Sequence, residues 1–398
     1  MDFMEEGKRI GDGLIRFRRE LHRYPELSSR ESETAARVLG QLRELGIECR
    51  TGVGGHGIVA DLRGEGPGPV IALRADMDAL PIREETALDF ASERPGVMHA
   101  CGHDAHTAML LGAARLLQRR RFAGTVRLLF QPAEEINAGA KAMIEDGALD
   151  GVDEIYGLHN LPTLSAGKAA TRCGPLMGSV DRIEIAIDGR GAHGAIPDQG
   201  ADPIVCASAV VMALQTVASR EVSPFEPVVV TVGSLRAGEA NNVIPQRAEL
   251  TGTVRAFSAE ARETLAGRIE RLAKETAKAY RCRADVRYVR QVPVLAGDDA
   301  CVRHAEAVLD EAIGAQNRVQ AAPTLAGEDF SVYLERVPGC FFWLGSGPST
   351  GAERAYGLHH PRYTLNEACI PLGASILAAI AFGRLSEAGA ATGRGTAG

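Results

Sequence analysis

Four short polar clusters in the sequence carry side chains that can bind divalent metal ions. The clusters are MHACGHDAHT, QPAEE, GLHN and LHHPRY, which begin at residues 98, 131, 157 and 358. Their candidate ligands are His99, Cys101, His103, His106, Glu134, Glu135, His159, His359 and His360. Imidazole, thiol and carboxylate groups are the ligands that zinc and other borderline divalent ions accept. Any one cluster can be explained as a helix cap or a buried histidine, but four together favour a metal site.

The adjacent carboxylates Glu134 and Glu135 indicate what chemistry such a site performs. Neighbouring side chains that leave a strand point in opposite directions, so one can bind metal while the other handles protons. A bound divalent ion lowers the pKa of water from about 16 to about 7, and a carboxylate beside that water can move its proton to a leaving amine. The pair therefore predicts amide hydrolysis. A structural zinc site is disfavoured because its ligands are usually close together in sequence.

The predicted elements place these clusters at one edge of a sheet. Short apolar runs alternate with a helix over 104–121, and each run ends in polar, glycine or proline residues. These runs cover residues 57–63, 70–78, 125–132 and 154–160. The order predicts an α/β fold with a mixed, mostly parallel sheet flanked by helices. Sheets of this kind carry their sites beyond the C-terminal ends of the strands.

A change in pattern near residue 180 indicates an inserted domain. DRIEIAIDGR, at 181–190, alternates isoleucines with charged residues as a half-buried strand does. The elements that follow have the order β-α-β-β-α-β, which is typical of a ferredoxin-like (α+β) unit. The chain then returns to helix, a strand over 340–346 and a final helix over 367–385. We therefore predict a discontinuous catalytic domain of residues 1–180 and 292–398, interrupted by an inserted domain of residues 181–291.

Composition excludes several classes of partner. The chain has 398 residues and a net charge of −7, which disfavours nucleic acid as a ligand. Its N-terminus lacks the pattern of a signal peptide, and no apolar run approaches the about 20 residues that a bilayer requires. The eight cysteines are scattered without disulfide-like spacing. We therefore expect a cytoplasmic protein that binds neither nucleic acid nor a membrane.

Seven motifs occur in the order and approximate spacing of a known family. They are MHACGHDAHT, QPAEE, GLHN, GAHGAIPDQGADPI, NNVIPQ, GEDFS and LHHPRY. In these motifs the chain resembles the M20 peptidase family, in its branch of hippurate, N-acyl-amino-acid and indoleacetyl-amino-acid hydrolases. The resemblance spans nearly the whole chain. It implies that residues 181–291 form a lid and dimerisation domain, so that the protein is a homodimer paired through its lids.

The resemblance also implies roles for individual residues around a two-metal centre. Glu134 is similar to the general acid/base of the family, and Asp78 to a carboxylate that orients a ligand. His359 is preferred to His360 as a ligand because the family ligand follows the leucine. The residues similar to the metal ligands are Cys101, His103, Glu135, His159 and His359.

Three residues of the predicted lid are candidates for contacting the substrate. His193, in the glycine-rich GAHGAIP, is expected to polarise the scissile carbonyl or to stabilise the oxyanion, in its own subunit or in the partner's site. Asn242 is similar to a substrate-contacting residue of the family. Arg255 can bind a substrate carboxylate with its bidentate fork, although a solvated surface arginine explains it nearly as well.

Together these observations predict a metal-dependent amidohydrolase that cleaves N-acyl amino acids to a carboxylic acid and a free amino acid. The acyl group is expected to be of the acetyl, benzoyl or indoleacetyl type. Each subunit is expected to bind two divalent ions, Zn²⁺ or Mn²⁺, with Co²⁺ and Ni²⁺ as alternatives. Two other functions remain open: a dipeptidase or carboxypeptidase of the same family, and a catalytically silent, metal-dependent binding protein.

Overall fold

The computed structural model of the protein describes residues 2–348 and 356–393, with side chains up to residue 387. By its described contacts, the chain divides into two compact units. The large unit consists of Met1–Gly174, Ala296–Ala322 and Asp329–Gly398, and the small unit consists of Pro175–Leu295 and Pro323–Glu328. The first segment of the small unit thus extends beyond both ends of the predicted inserted domain, residues 181–291. It also includes a second segment, because Gly178 donates its amide hydrogen to the carbonyl oxygens of Thr324 and Ala326.

The large unit contains a mixed, mostly parallel sheet, which confirms the predicted fold class. Thr125–Gln131, Val70–Asp76, Glu154–Ser165 and Gly339–Gly347 are parallel neighbours at its centre, and antiparallel pairs lie toward both edges. From edge to edge, the strands are Cys49–Val53, Gly57–Arg63, Thr125–Gln131, Val70–Asp76, Glu154–Ser165, Gly339–Gly347, Ala169–Thr171 and Arg318–Gln320. The central strands are apolar and buried, as parallel strands covered by helices on both faces must be.

Helices flank this sheet. His103–Leu117 packs against Phe3–Arg23 and Cys369–Gly393, and every residue of His103–Leu117 except Arg115 is buried. The helices of the large unit are Phe3–Arg23, Ser32–Glu44, His103–Leu117, Gly139–Glu145, Asp299–Ile313, Phe330–Leu334 and Cys369–Gly393, with a 3₁₀ turn at Ala315–Asn317. The predicted helix over 104–121 therefore begins at His103 and ends four residues early.

The small unit contains an antiparallel sheet with helices. Its strands lie in the order Val228–Ala237, Arg247–Ala256, Val180–Asp188 and Arg283–Val292. The isoleucines of Val180–Asp188 are buried, as their alternation with charged residues predicts. Its other elements are the helices Pro203–Thr216 and Ala259–Ala279, the 3₁₀ turn Pro197–Gln199, the π-helical turn Val217–Glu221, and the short paired strands Ala192–His193 and Val243–Ile244. Two boundaries between the units fall within short strands, namely Gly174–Met177 and Leu295–Gly297.

In the described part of the chain, two helical stretches are long and apolar enough to cross a bilayer by length and composition. They are Pro203–Glu221, of which 33% is buried, and Cys369–Glu387, of which 61% is buried. No such stretch is expected from the apolar runs of the sequence, and on this point the structure differs. Cys369–Glu387 is apolar because much of it lies in the core against the sheet and the helix His103–Leu117.

Candidate metal centre

The parallel strands of the large unit bring the candidate ligands to one edge of the sheet. Asp76 and Gln131, at the ends of two neighbouring strands, lie opposite each other in register. The loops that follow these strands carry Asp78 and the Glu134–Glu135 pair, and the next strand carries His159 itself. This arrangement is the one that open α/β sheets use to assemble a site.

The five predicted ligands form two groups that share one thiol. Cys101, His103 and His159 make the first group, and Cys101, Glu135 and His359 make the second. Within each group, the possible ligand atoms lie within 4.8 Å of one another. Cys101 Sγ lies 3.4 Å from Nε2 of His159, so two residues that are 58 positions apart in the sequence are neighbours in the fold.

Hydrogen bonds at the outer ring nitrogens aim both imidazoles of the first group toward the thiol. His159 Nδ1 donates to the carbonyl oxygen of Asn160 at 2.8 Å, and His103 Nδ1 donates to Asp78 Oδ1 at 3.1 Å. In each neutral ring the remaining Nε2 is then the unprotonated nitrogen, which is the form that binds metal.

Unsatisfied buried atoms show that this donor set fits metal ions. Among the described residues, His103 Nε2 and Glu135 Oε1 are buried and have no hydrogen-bond partner. Leaving a buried polar atom unsatisfied costs about 1–3 kcal/mol. A divalent ion at each group would satisfy these atoms. A thiol, three imidazoles and a carboxylate are also the donors that such ions accept.

Burial and neighbouring charges set the protonation of the donors in the metal-free protein. Burial raises the pKa of the Cys101 thiol well above its ordinary value, and the Glu135 carboxylate raises it further. Burial lowers the pKa of His159 well below its ordinary value, and nearby His106 adds to that shift. Burial alone would lower the pKa of His103, but Asp76, Cys101 and Asp78 together outweigh burial, and the pKa is raised well above its ordinary value. His159 is thus already neutral, whereas His103 and Cys101 must each lose a proton to bind metal.

His359 differs from the other candidate ligands in exposure and backbone conformation. Its side chain is 52% exposed, and its Nε2 lies 3.5 Å from Glu135 Oε2. Its backbone adopts a left-handed φ of +64°, and its amide donates to Ala100 O at 2.8 Å. His360 belongs to neither group: its ring stacks on Tyr356.

The turn that carries the two carboxylates begins at a strained residue. Ala133 adopts a left-handed φ of +55°, which is unfavourable for a residue with a side chain. The Glu135 amide donates to Asp78 Oδ2 at 2.9 Å, and Oε1 of the buried Glu134 accepts the Asp329 amide at 3.4 Å. Glu134, Glu135 and His103 also present atoms within 4.8 Å of one another. One carboxylate can therefore bind metal while the other remains beside it.

Asp78 contacts three groups of the centre. Its Oδ1 holds the His103 ring, and its Oδ2 accepts hydrogen bonds from the Glu135 amide and, at 2.7 Å, from the Ser28 hydroxyl. Burial would raise the pKa of Asp78, but the charge of His103 and the hydrogen bonds from His103, Ser28 and the Glu135 amide together lower it below the ordinary value. The placement agrees with an orienting carboxylate.

A buried polar network lies beneath the candidate ligands, and most of its residues carry no signal in the sequence. His106 has both ring nitrogens engaged: Nδ1 donates to Asp76 Oδ1 at 2.6 Å, and Nε2 accepts the Asn160 amide at 2.9 Å. The Arg74 guanidinium pairs with Asp76 at 2.7 Å and with Asp329 at 2.9 Å. Burial raises the pKa of Asp329 to about 6. The only sequence signal for Asp329 is its place in the motif GEDFS.

The three remaining predicted residues lie in the small unit. His193 Nδ1 accepts the Ala195 amide at 3.0 Å, so the neutral ring carries its proton on Nε2, where it can act as a donor. Asn242 lies close by, because its carbonyl oxygen accepts the Gly194 amide at 2.8 Å. The Arg255 side chain is half-buried, and its guanidinium makes no hydrogen bond or salt bridge among the described residues. Burial lowers the pKa of its guanidinium, and the Asp181 carboxylate opposes that shift.

Gly102 allows the backbone to turn between the ligands Cys101 and His103. Its φ is +89°, and a Cβ at this position would overlap Asn160 Nδ2 and Tyr363 Oη. Those two side chains are fixed, because Asn160 donates to Cys101 O at 2.6 Å and accepts from Tyr363 at 2.7 Å. A glycine is therefore needed at this position for two separate reasons.

We expect Gly102→Ala to lower the free energy of unfolding by about 2 to 4 kcal/mol, from left-handed strain and overpacking together. Gly96→Ala is the matched control, because Gly96 has φ +79° but open space around its Cβ position. That control should lose only about 1–2 kcal/mol. Urea unfolding of the metal-free proteins measures both values, and equal losses would show that the overlap is harmless.

Comparison with known proteins places the chain in a family. Residues 72–382 match the model of peptidase family M20/M25/M40. N-acetyl-L-cysteine deacetylase of Bacillus subtilis (strain 168) is 46% identical over 360 residues, covering 90% of this chain and 84% of that protein. IAA-amino acid hydrolase ILR1-like 2 of Arabidopsis thaliana is 39% identical, covering 95% and 86%. The crystal structure of the Bacillus subtilis YXEP protein, a dinuclear metal binding peptidase from the M20 family, is 40% identical with a TM-score of 0.82, covering 95% and 99%. The chain therefore belongs to peptidase family M20/M25/M40.

Proposed function

We propose that this protein hydrolyses N-acyl amino acids of the acetyl, benzoyl or indoleacetyl type, releasing a carboxylic acid and a free amino acid. The observation that carries the proposal is the pair of donor groups sharing Cys101, with the Glu134 carboxylate beside them. Two relatives support the same class of substrate, since their names describe the deacetylation of N-acetylcysteine and the hydrolysis of IAA-amino acids. Both reactions break an amide bond to an amino acid.

Two divalent ions fit the donors of the large unit. Cys101, His103 and His159 would hold one ion, and Cys101, Glu135 and His359 would hold the other. We propose Zn²⁺ or Mn²⁺, with Co²⁺ and Ni²⁺ as alternatives, because all of these accept imidazole and carboxylate donors. When bound, the ions lower the pKa of water and polarise the amide carbonyl. Elemental analysis of the protein as purified tests this assignment, and monovalent ions or no metal would contradict it.

We assign the proton transfers to Glu134. As a carboxylate, it takes a proton from the attacking water and then donates it to the amine nitrogen as the C–N bond breaks. The Asp329 amide holds its Oε1, so the carboxylate keeps one orientation during both transfers. Glu135 serves a different purpose, because its own Oε1 lies among the metal donors.

We propose that residues of the small unit recognise the substrate. The protonated Nε2 of His193 is a donor for the oxyanion that forms when the carbonyl is attacked. Arg255 is suited to the substrate carboxylate, because its half-buried guanidinium has no salt bridge among the described residues. Asn242 adjoins His193 through the Gly194 amide and is a third candidate contact.

We propose a cytoplasmic homodimer that pairs through the small unit. Val228–Ala237 is an edge strand, and several apolar side chains on it and on helix Pro203–Thr216 are exposed. These side chains are Val205, Met212, Val229 and Leu235. All eight cysteines are free, which suits a reducing compartment. Sedimentation equilibrium tests the dimer, and a monomer at micromolar concentration would contradict it.

Release assays over a substrate panel test the proposed reaction. The panel contains N-acetyl, N-benzoyl and indoleacetyl amino acids, each with its C-terminal carboxamide analogue, and unblocked dipeptides. We expect turnover of at least one N-acyl amino acid. Its carboxamide should have a kcat/KM lower by about 10- to 100-fold, because a charge-assisted bond contributes about 1.5–3 kcal/mol.

The same panel separates the competing functions. Preference for unblocked dipeptides over every N-acyl amino acid would identify a dipeptidase or carboxypeptidase. A metal-loaded protein that turns over no member of the panel would behave as a binding protein, and the proposed reaction would then be wrong. Equal turnover of the free acid and its carboxamide would remove the role proposed for Arg255.

A further inference from the structure

A short loop between the first two helices lies beneath the turn that carries Glu134 and Glu135. The loop follows helix Phe3–Arg23 and ends at Glu31, just before helix Ser32–Glu44. Glu31 is completely buried, although its neighbours Arg30 and Ser32 are both exposed. A fully buried glutamate is rare unless its carboxylate has a specific partner.

That partner is the backbone at the start of the catalytic turn. Glu31 Oε1 accepts the Ala133 amide at 2.8 Å and the Ser29 amide at 2.9 Å. Ala133 immediately precedes Glu134 and has the left-handed φ of +55°. A residue with a side chain prefers the right-handed region by about 1–2 kcal/mol, so the hydrogen bond that the Ala133 amide donates to Glu31 opposes relaxation of Ala133. Rotation at Ala133 would redirect the Glu134 side chain, because Glu134 is the next residue.

The same loop contacts the other end of the turn. Ser28 donates to Asp78 Oδ2, and that oxygen also accepts the Glu135 amide. The loop thus acts on both sides of Glu134. Glu31 accepts the Ala133 amide directly. Ser28 reaches the Glu135 amide indirectly, because both donate to the same oxygen of Asp78. Each contact is made to a backbone amide or to a side chain of the site.

Stability alone does not explain why a glutamate occupies this position. Glu31 Oε2 is buried and has no hydrogen-bond partner among the described residues. Burying a carboxylate with one oxygen unsatisfied is unfavourable, and a neutral side chain would avoid that penalty. Groups that break the rules of stability are commonly found at functional sites.

We propose that Glu31 is a positioning residue for the reaction, which holds the Ala133 amide and thereby sets the direction of the Glu134 carboxylate. This role rests on the proposed hydrolysis of N-acyl amino acids. Glu31 belongs to none of the donor groups found among the described residues. It acts through one backbone amide, so what matters is the acceptor atom Oε1 and its distance from that amide.

Three substitutions separate these requirements. Glu31→Gln keeps an acceptor at the Oε1 position, Glu31→Asp draws it back by one methylene group, and Glu31→Ala removes it. We expect Glu31→Ala and Glu31→Asp to lower kcat by about 10²-fold, the usual effect of misplacing a catalytic group by about 1 Å. KM and the number of bound metal ions should be unchanged, and Glu31→Gln should restore most of kcat. Glu33→Gln, an exposed glutamate on the following helix, is the matched control and should match the wild type.

Crystal structures of the metal-loaded variants supply a readout other than activity. We expect residues 133–135 to shift in Glu31→Ala and to keep their conformation in Glu31→Gln. Full kcat in a folded, metal-loaded Glu31→Ala, or an unmoved turn in its structure, would overturn the positioning role. If Glu31→Ala does not fold, the comparison of Glu31→Asp with Glu31→Gln decides in the same way. Wild-type protein that hydrolyses no N-acyl amino acid would instead overturn the proposed function, while the structures still test the turn.

Discussion

Glu134→Gln should lower kcat by about 10³- to 10⁴-fold, near the upper limit of what general acid–base catalysis contributes. Glutamine has the same shape and can still accept the Asp329 amide at its Oε1. It cannot take a proton from water or return one to the leaving amine. The substitution therefore removes the proton transfer and leaves the metal donors in place.

Steady-state kinetics and elemental analysis of the same preparation measure this effect. The number of bound metal ions and KM should remain those of the wild type. Glu145→Gln is a suitable control, because Glu145 is an exposed residue on the helix that follows the turn. A Glu134→Gln protein as active as the wild type would remove the mechanism, and a variant that loses metal would show that Glu134 is itself a ligand.

Cys101→Ala should abolish measurable hydrolysis and reduce the affinity for both ions, because its thiol belongs to both donor groups. Loss of an outer hydrogen-bond partner weakens a metal site by about 10- to 100-fold. Removal of a donor common to two sites should exceed that effect. Cys173→Ala, which changes an exposed cysteine, is the control and should behave as the wild type does.

His359→Ala provides the sharper comparison, because His359 belongs to one donor group. Metal titration followed by elemental analysis should find about one ion per subunit in His359→Ala and fewer in Cys101→Ala. Two tightly bound ions in Cys101→Ala would show that the thiol is not shared. Equal loss in the two variants would show that the groups do not bind separately.

Apolar patterning predicts most of the elements that position the centre. The run at 57–63 is a strand with those bounds, and the run at 125–132 is a strand over Thr125–Gln131. These predictions succeed because burial of a strand or a helix face imposes a period on the sequence. The helix predicted over 104–121 ends earlier, at Leu117, since Gln118 and the arginines that follow leave the core.

The convergence of the donors is predictable only in part. Spacing identifies the clusters, and the choice of Glu134 over Glu135 or of His359 over His360 comes from the family resemblance. Residues that act by hydrogen bonding to distant backbone leave no such pattern. Glu31 meets Ala133 across 102 positions of sequence, and in the sequence alone it is one more charged residue before a helix.

Exposure differs sharply across the donors, since His359 is 52% exposed while His103 is completely buried. Within the large unit, solvent therefore reaches the donors on the His359 side, where the ligand is held in a loop and not in a strand or helix. Access and release can be altered there by replacing neighbours of His359, with the deeply packed donors left intact. Such substitutions remove no metal ligand, so turnover rate and metal retention can be altered separately.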